Sequence, residues 1–234
     1  MKKILLASTS TLYNGSYLEY LLPTLEQHFE NVKTLLFIPY AQPSGISYDD
    51  YTTKVGEAFA KINIQVKGIH EYENPADAIK NAEGIFTGGG NTFLLVSKLY
   101  ENHLITVLKE TMAKGTPYLG TSAGSNIGGR TMNTTNDMPI ILPPSFDTLG
   151  FINFNLNPHY LDPIEGSTHM GETRETRIAE FHKISTIPVL GLREGSWLEI
   201  YGDNVILRGD LTARLFRAGE FAVELAPSEN LNFL

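Results

Sequence analysis

Along the first half of the chain, short continuous apolar runs alternate with longer stretches whose apolar residues recur every three or four positions. The runs at 4–7, 34–39, 62–66, 84–87 and 117–120 predict strands. Residues 17–29, 48–61, 75–82 and 92–114 carry the helical period, with Pro23 expected to kink or shorten the first of them. Strands buried on both faces and separated by helices imply an α/β fold, a mostly parallel sheet with helices on both faces. The second half follows another rhythm. Residues 133–149, rich in Pro, Asn and Thr, read as a long surface excursion. The alternation at 151–156 predicts a strand and 172–182 a helix. From Pro188 onward the part is β-rich, with strands at 189–192, 197–201, 204–207, 213–217 and 221–225. Gly202-Asp203-Asn204 and Ala218-Gly219-Glu220 supply the turns. No linker, repeat or low-complexity tract interrupts the 234 residues, so a single domain over 1–234 is expected.

Charge and composition narrow the function. A formal net charge of −8 argues against a nucleic-acid or anionic-membrane partner, and an acidic ligand would need local arginines. The chain has no cysteine, which excludes disulfides, a thiol nucleophile and thiolate-bound metal. Met1-Lys2-Lys3 precedes an apolar run too short for a signal-peptide core; it reads as the first strand, and a cytoplasmic location is expected.

In an open parallel sheet, ligands gather at the carboxyl ends of the strands. The loops beginning near Ser8, Pro39, Thr87 and Thr121 should therefore share one edge. In Gly120-Thr121-Ser122-Ala123-Gly124 a serine sits between two glycines after an apolar strand, a pattern that lifts the hydroxyl from the sheet edge at a sharp turn. Gly88-Gly89-Gly90 lies between another strand and a helix. It is no dinucleotide loop, because Phe93 stands where the last glycine belongs, and no P-loop, because no Gly-Lys-Ser/Thr follows. Beside Ser122 it would instead supply an N–H from Gly89 or Gly90 which, with that of Ala123, would hold an oxyanion.

A serine nucleophile needs a base. Of six histidines, His28, His70 and His182 fall on surface helices or loops and are expected to be solvated, and His103 lies between helical stretches. His159, after the alternating strand and the rigid Asn157-Pro158, is the candidate base; His169 is second choice. The pairs His159/Asp162 and His169/Glu172 do not reproduce a metal-ligand pattern, and no metal or cofactor is expected. Two carboxylates compete to orient the base: Asp137, in a proline-rich loop, and Glu194, at the end of an apolar strand near the only tryptophan.

Taken together, Phe37-Ile38-Pro39-Tyr40, Gly88-Gly89-Gly90-Asn91-Thr92-Phe93, Ser122-Ala123-Gly124, Thr134-Thr135-Asn136-Asp137-Met138-Pro139, Asn157-Pro158-His159, Gly171-Glu172-Thr173-Arg174-Glu175 and Glu194-Gly195-Ser196-Trp197 resemble the peptidase E family of α-aspartyl dipeptidases. The resemblance implies a flavodoxin-like sheet related to class I glutamine amidotransferases, and a cofactor-free serine dipeptidase for Asp-Xaa. It implies Ser122 as nucleophile, His159 as base and Glu194 as its partner, with Asp137 as a further acidic site residue. An aspartyl substrate calls for a cation, for which Arg174 is the candidate; Tyr160 and Asn136 are expected to line the pocket, and Asp137 is an alternative partner for the substrate amine. A small peptide as partner and a monomer or weak homodimer complete the expectation. Arg193, where enterobacterial members carry proline, and Thr121, where they carry an aromatic residue, bear on pocket size and charge. A β-aspartyl or isopeptide hydrolase of the cyanophycinase type, and a non-catalytic binding module, are the alternatives.

Overall fold

The computed structural model describes residues 1–43, 45–164, 166, 168 and 170–234. Its larger sheet begins with β1 (Lys3–Ala7), β2 (Thr34–Ile38), β3 (Gln65–Gly68), β4 (Gly84–Thr87) and β5 (Tyr118–Thr121), all parallel in the order β3-β2-β4-β5-β1. Strands β2 to β5 follow the 2-1-3-4 order of flavodoxin-like sheets, and β1 occupies the fifth place. Beyond β1 the sheet turns antiparallel through β8 (Trp197–Tyr201) and β9 (Asn204–Arg208). A second, four-stranded sheet has the order β11-β10-β7-β6, from β6 (Asn155–Pro158), β7 (Val189–Leu192), β10 (Ala213–Phe216) and β11 (Val223–Leu225). Only its β6–β7 pair is parallel.

The continuous apolar runs are explained by two buried faces. On one, Leu5, Ala7, Leu35, Phe37, Phe86 and Leu119 pack against α1 (Leu22–His28) and α2 (Tyr48–Ala60). Their chain neighbours Ile4, Leu6, Leu36, Ile38, Ile85 and Tyr118 face the other way. There they meet α3 (Pro75–Lys80), α4 (Thr92–Glu101) and α5 (Leu104–Ala113). Leu156, Leu190, Leu192 and Leu215 of the second sheet join that same cluster, so one core runs through both sheets.

Several boundaries differ from the sequence pattern. Pro23 sits in the first turn of α1, where its missing N–H is harmless, so the helix starts at Leu22 after a short 3-10 turn at Glu19–Leu21. The period over 92–114 is broken at His103, whose φ of 57° ends α4 and starts α5. The third strand moves from 62–66 to Gln65–Gly68, because Asn63 (φ 59°) still belongs to the turn leaving α2. Of the alternating segment 151–156, only the end becomes strand, in β6. The helix expected at 172–182 forms as α7 (Arg174–Phe181), capped by the Thr173 hydroxyl.

His28 corrects a second expectation. It is buried, its ring edge-on to Phe29 and its Nε2 3.1 Å from the Tyr118 carbonyl. Burial, with a smaller repulsion from Lys3, pushes its pKa down to about 3. The folded state thus holds His28 neutral while the unfolded chain takes up a proton below about pH 6.5. The stability tied to this group is complete above that pH and falls by roughly 1.4 kcal/mol per pH unit between about 6.5 and 3. A His28→Gln variant keeps a donor for Tyr118 and does not titrate. Urea denaturation at pH 7 and pH 5 should show a smaller loss for the variant than for wild type, and equal losses would refute the assignment.

Candidate active site

Ser122 stands where β5 gives way to α6 (Ala123–Asn126), at φ 53° and ψ −112°. Such a backbone is unfavourable for a residue with a side chain, so the surroundings must enforce it. The enforcement is visible. Ser122 N–H donates to the Ala7 carbonyl at 3.1 Å, and the Tyr118 hydroxyl to the Gly124 carbonyl at 3.1 Å. The Ser125 hydroxyl lies 2.6 Å from the Ala7 carbonyl and 2.7 Å from that of Gly120. Both flanking glycines are required by close approach: a Cβ at Gly120 would collide with the Gly124 carbonyl, and one at Gly124 with that of Thr87.

His159 follows β6 and Arg193-Glu194 follow β7, the parallel neighbour, so side chains from adjacent strand ends meet. His159 Nε2 is 2.9 Å from Ser122 Oγ, and Nδ1 is 2.6 Å from Glu194 Oε1. The Glu194 contact fixes the tautomer that leaves Nε2 free to accept the serine proton. His159 also has a positive φ, 54°. Its N–H donates at 2.9 Å to the hydroxyl of Ser8, a fully buried residue, which itself donates to the Leu192 carbonyl at 2.7 Å.

Asp137 does not hold the histidine. Its Oδ2 accepts from Thr92 N–H (2.7 Å), Thr92 Oγ1 (2.6 Å) and Thr135 Oγ1 (3.0 Å), fastening the 131–137 segment to the start of α4. The competition between the carboxylates is thereby decided by distance in favour of Glu194 as the histidine's partner. Asp137 lines a cavity of about 240 Å³ together with Ser122, His159, Asn136 and Arg174. Arg174 makes no ion pair among the described residues. Burial and the neighbouring Arg177 lower its pKa, while Asp137 raises it. A guanidinium keeps its charge under any such shift.

Asn136 is in the cavity wall, but its side chain is already engaged: Nδ2 donates to the Pro158 carbonyl at 2.7 Å, and Oδ1 accepts from Asn157 at 2.8 Å. Tyr160 corrects an expectation outright. It is a core residue at 1% exposure, packed against Ile178, Val189 and Phe216 behind the histidine, and its ring leaves no room for a Cβ at Gly191. The positive φ of His159 turns the chain just past β6, and Tyr160 continues into the core beside β7, where its N–H donates to the Leu192 carbonyl at 3.1 Å. His169 lies outside the described residues. Among the described residues, Gly89, Gly90 and Ala123 donate no backbone hydrogen bond.

Other residues support the site without an obvious sequence signal. Thr134 Oγ1 (2.7 Å) and Asn126 Nδ2 (2.9 Å) both donate to the Leu156 carbonyl, and with Asn136 they serve the outer edge of β6, where no strand pairs. Pro158 there needs no outward partner for an N–H. Arg193 grips Asp162 (2.8 and 2.9 Å) and Glu224 (2.9 and 3.1 Å), joining the loop after His159 to β11. These bonds hold both carboxyls below their usual pKa values.

A serine and histidine in line with a carboxylate at the carboxyl edge of a parallel sheet form the arrangement of a serine hydrolase. The chain belongs to peptidase family S51, whose model matches residues 4–208. It is 47% identical over 231 residues to "Peptidase E" of Streptomyces coelicolor, covering 99% of this chain and 94% of the relative. It is 45% identical over 236 residues to a "Probable alpha-aspartyl dipeptidase" of Drosophila melanogaster, covering 100% and 97%. Two solved structures share the fold. One is a putative peptidase E protein from Listeria monocytogenes, with TM-score 0.68 and 22% identity over 89% of this chain and 98% of that one. The other is a peptidase from an acI-B1 actinobacterium, with TM-score 0.75 and 18% identity over 99% and 96%. The protein is therefore a peptidase.

Ser8→Ala removes the acceptor of the His159 N–H in a largely dry place. It should cost about 1–3 kcal/mol of stability in urea denaturation and slow labelling of Ser122 by a fluorophosphonate roughly tenfold. Wild-type values of both would show that the hydroxyl does not position the histidine.

Proposed function

We propose that this peptidase is a cytoplasmic serine dipeptidase that hydrolyses small peptides with an N-terminal aspartate. The observation that carries the reading is the presence, in one small cavity, of Arg174, which has no ion pair among the described residues, and Asp137 beside the Ser122–His159–Glu194 line. The names of its relatives point the same way.

Binding comes first. Arg174 receives the aspartyl side-chain carboxylate, for which a guanidinium fork is the fitting partner. Asp137 has one oxygen occupied by Thr92 and Thr135, and its other oxygen and its charge are available for the substrate ammonium. Recognition of the free amine by Asp137 sets the first peptide bond at Ser122 and confines cleavage to it. Ser122 Oγ then attacks that carbonyl carbon while His159 Nε2 takes the proton. The tetrahedral oxyanion is held by the N–H groups of Ala123 and of Gly89 or Gly90. The protonated histidine, steadied by Glu194, passes its proton to the departing amine. Water, deprotonated by the same nitrogen, releases aspartate from the acyl-enzyme. No metal or cofactor takes part, nucleic acid and membrane are not partners, and the protein acts as a monomer or weak homodimer.

Hydrolysis of α-Asp-Leu, Ala-Leu, Glu-Leu and β-Asp-Leu tests the whole reading. Wild type should cleave α-Asp-Leu far better than the others, and Ser122→Ala should lose several orders of magnitude in kcat. Turnover by Ser122→Ala would end the serine mechanism, and preferred cleavage of β-Asp-Leu would make the enzyme an isopeptide hydrolase. Arg174→Met should raise KM for α-Asp-Leu roughly 10- to 100-fold without slowing fluorophosphonate labelling of Ser122. An unchanged KM would remove Arg174 from the aspartate site.

A further inference from the structure

The glycine loop is held by backbone bonds at both ends and by side chains at its middle. At its start, Gly88 N–H donates to the Ile38 carbonyl (3.3 Å), and at its end Asn91 N–H donates to the Ala41 carbonyl (2.7 Å). Between these anchors the N–H groups of Gly89 and Gly90 have no partner among the described residues. The Gly89 carbonyl, in contrast, is taken by side chains: Gln42 Nε2 donates to it at 2.9 Å and the Tyr51 hydroxyl at 3.4 Å. Tyr17 lies behind, its hydroxyl 3.4 Å from that of Tyr51. Burial raises the Tyr51 pKa, which keeps the phenol a neutral donor.

A trans peptide is planar, with its C=O and N–H pointing in opposite directions. Whatever fixes the Gly89 carbonyl therefore fixes the direction of the Gly90 N–H in the same plane. The Gly89 backbone lies against the nucleophile, since a Cβ built there would stand 3.0 Å from Ser122 Cβ. Gly90 itself, at φ 140°, is pressed on the Ala41 carbonyl so closely that no side chain fits. We propose that Gln42 is a positioning residue of the oxyanion site: by holding the Gly89 carbonyl, it turns the Gly90 N–H toward the oxygen that becomes negative when Ser122 attacks. Of the two glycine N–H groups, the one that serves the oxyanion is thus that of Gly90. This assignment rests on the serine mechanism proposed above.

The chemistry sets what Gln42 affects. An oxyanion exists in the transition state and not in bound substrate or product, so a misdirected N–H lowers kcat and leaves KM alone. Gln42→Met keeps the side-chain length and removes the donor. It should lower kcat on α-Asp-Leu roughly 10- to 30-fold, with KM within about twofold. Fluorophosphonate labelling of Ser122 should slow in parallel, because the phosphoryl oxygen uses the same N–H groups. Affinity for a boronic-acid analogue of aspartate should fall by the same factor, and affinity for free aspartate should not change.

Gln42→Glu adds a readout that a merely structural role would not move. Its carboxylate only accepts and opposes the Gly89 carbonyl; once protonated, it donates and restores the contact. The carbonyl favours the protonated form, raising this carboxyl above its usual pKa of about 4.3. The ratio of variant to wild-type labelling rate should therefore climb severalfold as pH falls from 8 to 5. A flat ratio, or a Gln42→Met protein with wild-type kcat and boronate affinity, overturns the proposal. So does an equal loss of boronate and aspartate affinity. Should Gln42→Met fail to fold, the pH ratio of Gln42→Glu decides alone. Ser122→Ala measured alongside separates the two levels: activity in that variant defeats the serine mechanism, whereas an inactive Ser122→Ala beside a normal Gln42→Met defeats only the role of Gln42. Because labelling needs no peptide, a wrong aspartate specificity would leave this result intact.

Discussion

The Ser8 hydroxyl joins the ends of three strands drawn from two sheets. It lies just past β1, accepts the N–H of His159 after β6, and donates to the carbonyl of Leu192 at the end of β7. Ser122 follows β5, which pairs with β1. Relative placement of Ser122 and His159 thus depends on how the second sheet seats against the first, and a buried hydroxyl bonded on both sides sets that seating. The shared apolar cluster of Leu6, Leu156, Leu190 and Leu192 supplies the attraction between the sheets. It is non-directional and would tolerate sliding; the hydroxyl would not.

Ser122 and His159, whose side chains meet, both have positive φ, 53° and 54°. Backbone of this kind costs of order 1–3 kcal/mol per residue and persists only where surrounding contacts enforce it. Around Ser122 the enforcement comes from Ser125, Tyr118 and the Ala7 carbonyl; around His159 it comes from Ser8 and from the paired ends of β6 and β7. Once enforced, the strain aims the two side chains at each other with little freedom left to lose when substrate arrives.

The outer edge of β6 illustrates a second economy. An unpaired strand edge invites unwanted pairing. Here Asn126, Thr134 and Asn136 meet its carbonyls, and Pro158 withholds a donor. The same side chains hold the 131–137 segment in place, and through it Asp137 at the start of α4. Residues that protect the edge therefore also shape the wall of the cavity, which is why Asn136 lines it while its amide already holds Pro158 and Asn157.

Much of this was legible in the sequence. Apolar runs of four or five residues between amphipathic stretches read as strands covered on both faces, and the glycines around Ser122 as a tight turn with close backbone contact. Strand ends then named four loops that do share one edge. What the sequence could not express was the direction of side chains beyond those ends. Tyr160, one position from His159, went into the core because the chain turns just past β6 at His159; His28, polar and helical, was buried because its Nε2 meets the Tyr118 backbone carbonyl and its ring lies edge-on to Phe29, which packs on Phe59. Spacing left Asp137 and Glu194 both open as the histidine's partner, the family resemblance favoured Glu194, and the parallel pairing of β6 with β7 brings Glu194 to the histidine. Local composition and periodicity determined the elements and the nucleophile turn, because those depend on neighbours in the chain. Tertiary structure decided which carboxylate meets His159, the cavity wall and the contacts made by Ser8 and Gln42, because those depend on hydrogen bonds between residues far apart in sequence.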